Sequence, residues 1–265
     1  MKIREAAVAG AFYPDDRDEL KLTVRKFLDN AELFHLPGLK IIVSPHAGYI
    51  YSGPIAAYSY KQLYNLDRSK RWTVFLVGPS HYTYFSGASV GVFELYKTPT
   101  GLVTVSPVSK MLLSEEGFHF ILEAHIEEHC LEVQLPFLQY VLPRFEIVPI
   151  IFSEISYEYL AMVLEKYQTE NSLIVVSSDL SHYYPYEIAR KIDSRCNSAV
   201  KNLDVSELDQ CEACGKTGIA AAIYLAKKNK WKSKILKYAT SGDTAGPKNQ
   251  VVGYGAYAFY GGENV

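Results

Sequence analysis

The chain has no apolar run approaching the ~20 residues that a membrane-spanning helix needs. Nor is there a block of basic charge. The net charge is −2 over 265 residues, which argues against a nucleic-acid groove. No linker, internal repeat or low-complexity stretch interrupts the sequence. The N-terminal stretch MKIREAAVAGAFYP turns polar too soon for a signal peptide, so a cytoplasmic location is expected. Cysteine is scarce. Cys130, Cys196, Cys211 and Cys214 are too few, in a chain this long, for a disulfide framework. The remaining composition is that of an ordinary globular protein, 48% hydrophobic and 21% charged. One domain over residues 1–265 is the simplest reading. Tyrosine, at 21 residues, is in excess. Many tyrosines are expected to be half-buried with a wet hydroxyl, and others to line a pocket.

The chain is organised around Ile41–Gly53, IIVSPHAGYIYSG. Ile41-Ile42-Val43 has the length and β-branched content of a buried strand, and Pro45 cannot donate to a ladder, so the strand should stop there. His46 then stands just past the strand end. The same grammar recurs in Val74–Val77 followed by Gly78-Pro79-Ser80-His81. It recurs again in Leu173–Val176 followed by Ser177-Ser178-Asp179-Leu180-Ser181-His182. In open α/β sheets, ligands bind outside the carboxyl ends of the strands. If the three strands are parallel neighbours, His46, His81, Asp179 and His182 converge on one site.

In chain order, Ala6–Pro14 reads as an extended lead-in. Asp15 or Asp16 caps a helix carrying Leu20, Val24, Phe27 and Leu28 on one face. A helix over Ile55–Leu63 should follow Gly53-Pro54, with the proline in its first turn. Ala88–Tyr96 and Leu102–Val105 read as an antiparallel pair about Pro99-Thr100-Gly101, and Ser106-Pro107 starts a short helix. His129–Leu142 is helical by period, with Pro136 kinking it or shifting its start. Phe145–Phe152 is a strand, Ser156–Tyr167 a helix, Tyr186–Val200 a helix and Val205–Cys211 a short helix. Thr217 caps one more helix, and Lys234–Ala239 and Val251–Phe259 complete the sheet. This alternation implies an α/β sheet covered on both faces, made mixed by the hairpin.

Several of these residues carry chemistry. Neutral imidazole is the commonest side-chain metal ligand, and His46 and His81 follow matching strand ends. Asp179 and His182 are either a carboxylate orienting a histidine or a cap beside an unrelated histidine. Glu127 and Glu128 are accounted for by the positive end of a helix dipole, which would also lower the proton affinity of His129. Cys211-Glu212-Ala213-Cys214 is a redox dithiol or half a zinc site. Lys216 and the following helix start should favour a thiolate at Cys214, with Cys211 dispensable or a resolving partner. Cys130 and Cys196 lie on apolar stripes and are expected in the core. His35, His119 and His125 have no motif around them and are expected at the surface.

AVAGAFYP, PHAGYIYSG, GPSH, EEHCLEVQLPFLQ, SSDLSHY and the Cys214-Gly215 step occur in this order over nearly the whole chain. Together they resemble the Memo family, named for mediator of ErbB2-driven cell motility. The resemblance implies a three-layer α/β/α fold with a mixed, largely parallel central sheet, similar to the LigB-like class III extradiol dioxygenases. Carried over residue by residue, it implies His46, His81 and Cys214 as metal ligands, with Asp179, His182 and His129 as catalytic neighbours. Sulfur stands where the dioxygenases have a carboxylate, which shifts the preference towards copper, zinc or thiolate-ligated iron. Gly-Lys-Thr-Gly after Cys214 lacks the proline common at that point in the family.

Three functions follow as expectations. The first is a metal-dependent oxidoreductase using iron or copper on a small molecule or oxygen, with His182 moving protons and Asp179 setting its tautomer. The second is a non-catalytic module that binds a peptide or protein through Phe12, Tyr49, Tyr51 and the histidines. The third is a zinc hydrolase. The resemblance also implies partnership with radical-SAM system proteins.

Overall fold

The fold, a computed structural model, describes residues 2–261. The expected domain span of 1–265 therefore reaches Met1 and residues 262–265, which lie outside the described residues. The strands are β1 (Ile3–Arg4), β2 (Leu39–Ser44), β3 (Trp72–Pro79), β4 (Ala88–Val90), β5 (Leu95–Thr98), β6 (Gly101–Thr104), β7 (Phe118–His119), β8 (Phe145–Phe152), β9 (Ser172–Ser177), β10 (His182–Tyr184), β11 (Lys232–Thr240) and β12 (Val251–Tyr260). The α-helices are α1 (Arg17–Asn30), α2 (Tyr49–Lys61), α3 (Val108–Leu112), α4 (Glu123–Ile126), α5 (Leu135–Val141), α6 (Tyr157–Tyr167), α7 (Tyr186–Asn202), α8 (Lys216–Lys228) and α9 (Ser241–Thr244).

One nine-stranded sheet runs in the order β10-β12-β2-β9-β3-β8-β4-β7, with β11 on β12. Its centre, β2, β9, β3 and β8, is parallel, while β12 and β4 pair antiparallel with it. The pleat divides the central side chains between two cores. Ile42, Val74, Leu76, Leu173 and Val175 pack with Leu20, Val24 and Leu28 of α1, Ile55 and Tyr60 of α2, and Phe137 of α5. Ile41, Val43, Phe75, Val77, Ile174 and Val176 pack with Leu160 of α6, Cys196 of α7 and Ile219 of α8. Both faces are covered, giving three α/β/α layers, and strands buried on both faces read as continuous apolar runs. No described helix is long and apolar enough to cross a membrane.

Local sequence accounts for some of the helix starts. The Asp16 side chain accepts the N–H groups of Asp18 and Glu19 and starts α1, and Ser156 caps α6. Other expectations are corrected. α2 begins at Tyr49, anchored by Tyr49 N–H on Phe12 C=O, so Pro54 sits inside the helix rather than in its first turn. The 129–142 stretch is not one helix. It is an irregular segment, a 3₁₀ turn over Glu132–Gln134, and then α5, whose start falls where Pro136 is tolerated. Thr217 does not cap α8. Gly215 holds the cap position, where a Cβ would lie 2.5 Å from Ser178 Cβ. The 88–105 hairpin divides between two sheets. Ala88–Val90 joins the main sheet against β8, while β5 and β6 form a separate three-stranded sheet with β1. Ala6–Pro14 is a tight turn, closed by Gly10 N–H on Tyr13 C=O, rather than an extended arm.

Candidate metal centre

The strand order β2-β9-β3 sets the three histidine-bearing ends side by side. Ser44 pairs with Ser177, and Val77 with Val176, so His46, Asp179 and His81 leave the sheet at one level. The Cys130 loop packs on the ends of β3 and β9, with Cys130 Sγ on Pro79 C=O and Cys130 C=O accepting from Ser177 Oγ. It comes so near β3 that a Cβ on Gly78 would lie 2.6 Å from Cys130 Sγ. This loop brings His129. The rings of His46, His81 and His129 lie 4.7 to 5.4 Å apart, and one ring nitrogen from each lies within 4.8 Å of the others.

Hydrogen bonds dictate which nitrogen faces inward. Pro45 C=O can only accept, so Gln134 directs its Nε2 there, at 3.0 Å, and the same NH₂ donates to Ser177 Oγ at 2.9 Å. Ser177 spends its hydroxyl proton on Cys130 C=O at 2.6 Å. Ser177 Oγ must therefore accept from His46, whose Nδ1 lies 2.9 Å away. His46 carries its proton on Nδ1 and presents the Nε2 lone pair. His81 is set the same way: Nδ1 lies 2.9 Å from Glu128 Oε1, and a carboxylate only accepts. His129 turns Nδ1 towards Tyr82 Oη, at 3.3 Å, and Phe12 packs on its ring at 4.9 Å.

Glu128 is a residue of the site that the dipole argument missed. Glu127 is exposed as that argument expects, but Glu128 is buried and is not at a helix start. Its carboxylate accepts the backbone N–H groups of His81, His129 and Cys130 at 2.7 to 3.1 Å, besides the His81 ring. Its pKa is held below the usual range: burial raises it, but the His81 ring and the N–H donors outweigh that. Arg4 braces the same loop, donating to His125 C=O at 3.0 Å and Glu128 C=O at 2.6 Å, and pairing with buried Glu132. Glu132 also accepts from Tyr13, Ala7 N–H and Val8 N–H, tying the AVAGAFYP turn, and with it Phe12, to the site. The pattern of EEHCLEVQ, with acidic and amide residues on one motif, was the available signal.

The other expected residues are placed as follows. Cys214 Sγ lies 3.2 Å from His46 Nε2 and accepts Asp179 N–H at 3.3 Å. The expected low-pKa thiolate is corrected. Burial, then the Asp179 charge, pushes the thiol up to about 12. Lys216, whose ammonium donates to Cys211 C=O at 3.1 Å, does not offset this. Asp179 does not orient His182: its Oδ1 accepts His46 N–H at 2.7 Å, and burial raises its pKa to about 7. His182, half-buried on β10, stands at a register shift beside Tyr183, whose φ is +63°. Tyr49 is buried with its hydroxyl on Val133 C=O at 2.6 Å, so it faces the core, while Tyr51 is 36% exposed. Cys196 is in the core as expected, but it forms a disulfide with Cys211, so Cys211 is not a free partner for Cys214. His119 is exposed. His125 is not: it is buried against Ser89 and Tyr96.

Burial together with neighbouring imidazoles holds His46 well below its ordinary pKa, and burial first of all brings His129 down to about 4. Both are neutral at neutral pH, the form that ligates metal. Imidazoles fixed through their outer nitrogens, beside a thiol, fit a transition-metal ion by the chemistry of the donor set.

Residues 4–258 match the family model for Memo-like proteins. The chain belongs to the Memo family. It is 39% identical to a MEMO1 family protein of Saccharolobus solfataricus over 97% of this chain and 99% of the relative. A Metallosphaera sedula member is 36% identical over 97% and 99%. One from Sulfurisphaera tokodaii is 37% identical over 95% and 97%. The Memo motifs of the chain thus coincide with the elements that build the histidine cluster.

Proposed function

We propose that this Memo-family protein holds one redox-active transition-metal ion, iron or copper, and acts as an oxidoreductase on a small molecule or oxygen. The observation that carries the reading is the inward set of Nε2 lone pairs on His46 and His81, with Cys214 Sγ at His46 Nε2. His46, His81 and Cys214 would hold the ion. His129, on the same cluster, would be a further ligand or a wall of the pocket. The bound ion supplies electron transfer and Lewis acidity. The rest falls to the chain. Glu128 and Ser177 orient the two imidazoles, and Phe12 shields His129 from water. His182, its proton affinity lowered by burial, is a neutral base able to take a proton at neutral pH. Asp179, with a pKa raised to about 7, can hold one nearby.

The test is metal content and visible spectrum of untagged protein, with His46→Ala and His81→Ala alongside. Stoichiometric iron or copper in the parent, lost in both variants, is the expected result. Full metal content and affinity in both variants would overturn the assignment. A second reading, a peptide-binding surface, is favoured by exposed Tyr82, Tyr84 and Tyr183 near the cluster's segments. Peptide binding unchanged in chelator-treated protein would favour it.

A further inference from the structure

The Cys-x-x-Cys motif is not absorbed by the metal site, because only Cys214 reaches it. Cys211, three residues earlier, is bonded to Cys196 in α7. The segment between α7 and α8 is otherwise held without covalent bonds: Leu208 lies in the core with Val205 packed against it, and Asn202 Nδ2 donates to Glu207 Oε1 at 2.8 Å. Leu203, at the end of α7, takes φ +53°, and a 3₁₀ turn over Val205–Gln210 follows, in which only Leu208 is buried. Beyond Cys211 come Glu212, exposed, and Ala213, half-buried. On the far side Asp179 N–H donates to Cys214 Sγ at 3.3 Å, Gly215 N–H to Ser178 Oγ at 2.9 Å and Lys216 Nζ to Cys211 C=O at 3.1 Å. The Lys216 clasp ends on Cys211 itself, so it ties the start of α8 to the disulfide-bonded residue. The sulfur that touches His46 therefore lies three residues past the covalent, reducible fastening of its loop.

We propose that the Cys196–Cys211 disulfide is a redox-operated tether that positions Cys214 in the metal site. Closed, it holds Cys214 Sγ against His46. Opened, it lets the 203–213 loop loosen and Cys214 withdraw, weakening metal binding. Opening is a two-electron reduction by a dithiol. One reductant thiolate attacks a disulfide sulfur, and its second thiol displaces the mixed disulfide. The protein gains two S–H groups and the reductant becomes a disulfide. Cys196 and Cys211 act through Cys214 and touch no substrate. The proposal rests on Cys214 being a ligand, and its first test is independent of any metal.

That test is iodoacetamide labelling of metal-free protein at one fixed pH, followed peptide by peptide. It compares the oxidised chain, the chain reduced by dithiothreitol and desalted under nitrogen, and the Cys196→Ala/Cys211→Ala variant. Cys214 should react at least fivefold faster in the last two, while buried Cys130 stays slow in all three. Equal Cys214 rates overturn the tether. So does a matching rise at Cys130, which would mark general unfolding, and so do four free thiols in the unreduced protein. The second test is Co²⁺ titration of the same three samples and of Cys214→Ser. Binding about tenfold weaker without the disulfide, with no such dependence in Cys214→Ser, is expected. Co²⁺ affinity independent of the disulfide in the parent overturns control of the site. Absence of Co²⁺ binding in every sample, with the labelling result intact, would sink the metal reading and the tether's effect on it, and leave the positioning of Cys214 standing.

Discussion

Glu128→Gln tests the site's internal logic most directly. The Glu128 carboxylate accepts four N–H groups, three of them at Oε1 and the His81 N–H at Oε2. In glutamine the amide oxygen takes the crowded Oε1 position, and the NH₂ then faces His81 N–H, donor against donor. One hydrogen bond to a charged group is lost, worth about 1.5–3 kcal/mol, and the other three lose their charge assistance. The stability of metal-free protein should fall by about 2–4 kcal/mol, read as a lower urea midpoint at unchanged m. The His81 ring also loses the anion that holds its proton on Nδ1 and leaves the Nε2 lone pair free to face the site. Removing such an outer partner typically costs about 10–100-fold in metal affinity. Competition against a chelator measures that directly. Glu128→Ala, leaving four N–H groups without their acceptor, should be worse in both assays. If Glu128→Gln keeps parental metal affinity while His81→Ala loses it, the orienting role assigned to Glu128 is wrong.

Three further outcomes are expected. His182→Ala should retain the metal and lose turnover, and loss of metal content would make His182 a ligand instead. His125, pushed down to about 3 mainly by burial, stays neutral in the folded protein while the unfolded chain protonates near 6.5. Its contribution is present above that value and is lost as pH falls towards 3. His125→Gln should therefore remove about one proton, roughly 1.4 kcal/mol per pH unit, from the slope of stability between about pH 6 and 4; an unchanged slope would refute the neutral buried histidine. Arg4→Met strands buried Glu132 and should cost about 3–5 kcal/mol in urea unfolding, so a loss under about 1 kcal/mol would contradict the bracing role.

Much of this protein is determined by local pattern. β-branched runs buried on both faces, such as Ile41–Val43 and Leu173–Val176, read as strands because no other element hides such a run at that length. A histidine two or more residues past a strand end is a statement about chain direction alone, and it picked out His46 and His81 of the cluster. Asp16 and Ser156 cap helices through contacts two or three residues away, so they too are legible. What depends on long-range contacts was not. The pairing of β2 with β9 and β9 with β3, which makes the histidines neighbours, is decided by sheet assembly. Glu127 and Glu128 are the same residue type side by side, and only the tertiary fold buries one beneath His81 and leaves the other in water. Cys211 could pair forwards to Cys214 or back to Cys196, and α7's packing on the sheet selects the second. Cys214 sits near a helix start, which by itself would favour a thiolate. Burial beside Asp179 reverses the sign, because desolvation of an anion outweighs a half-charge at a helix end.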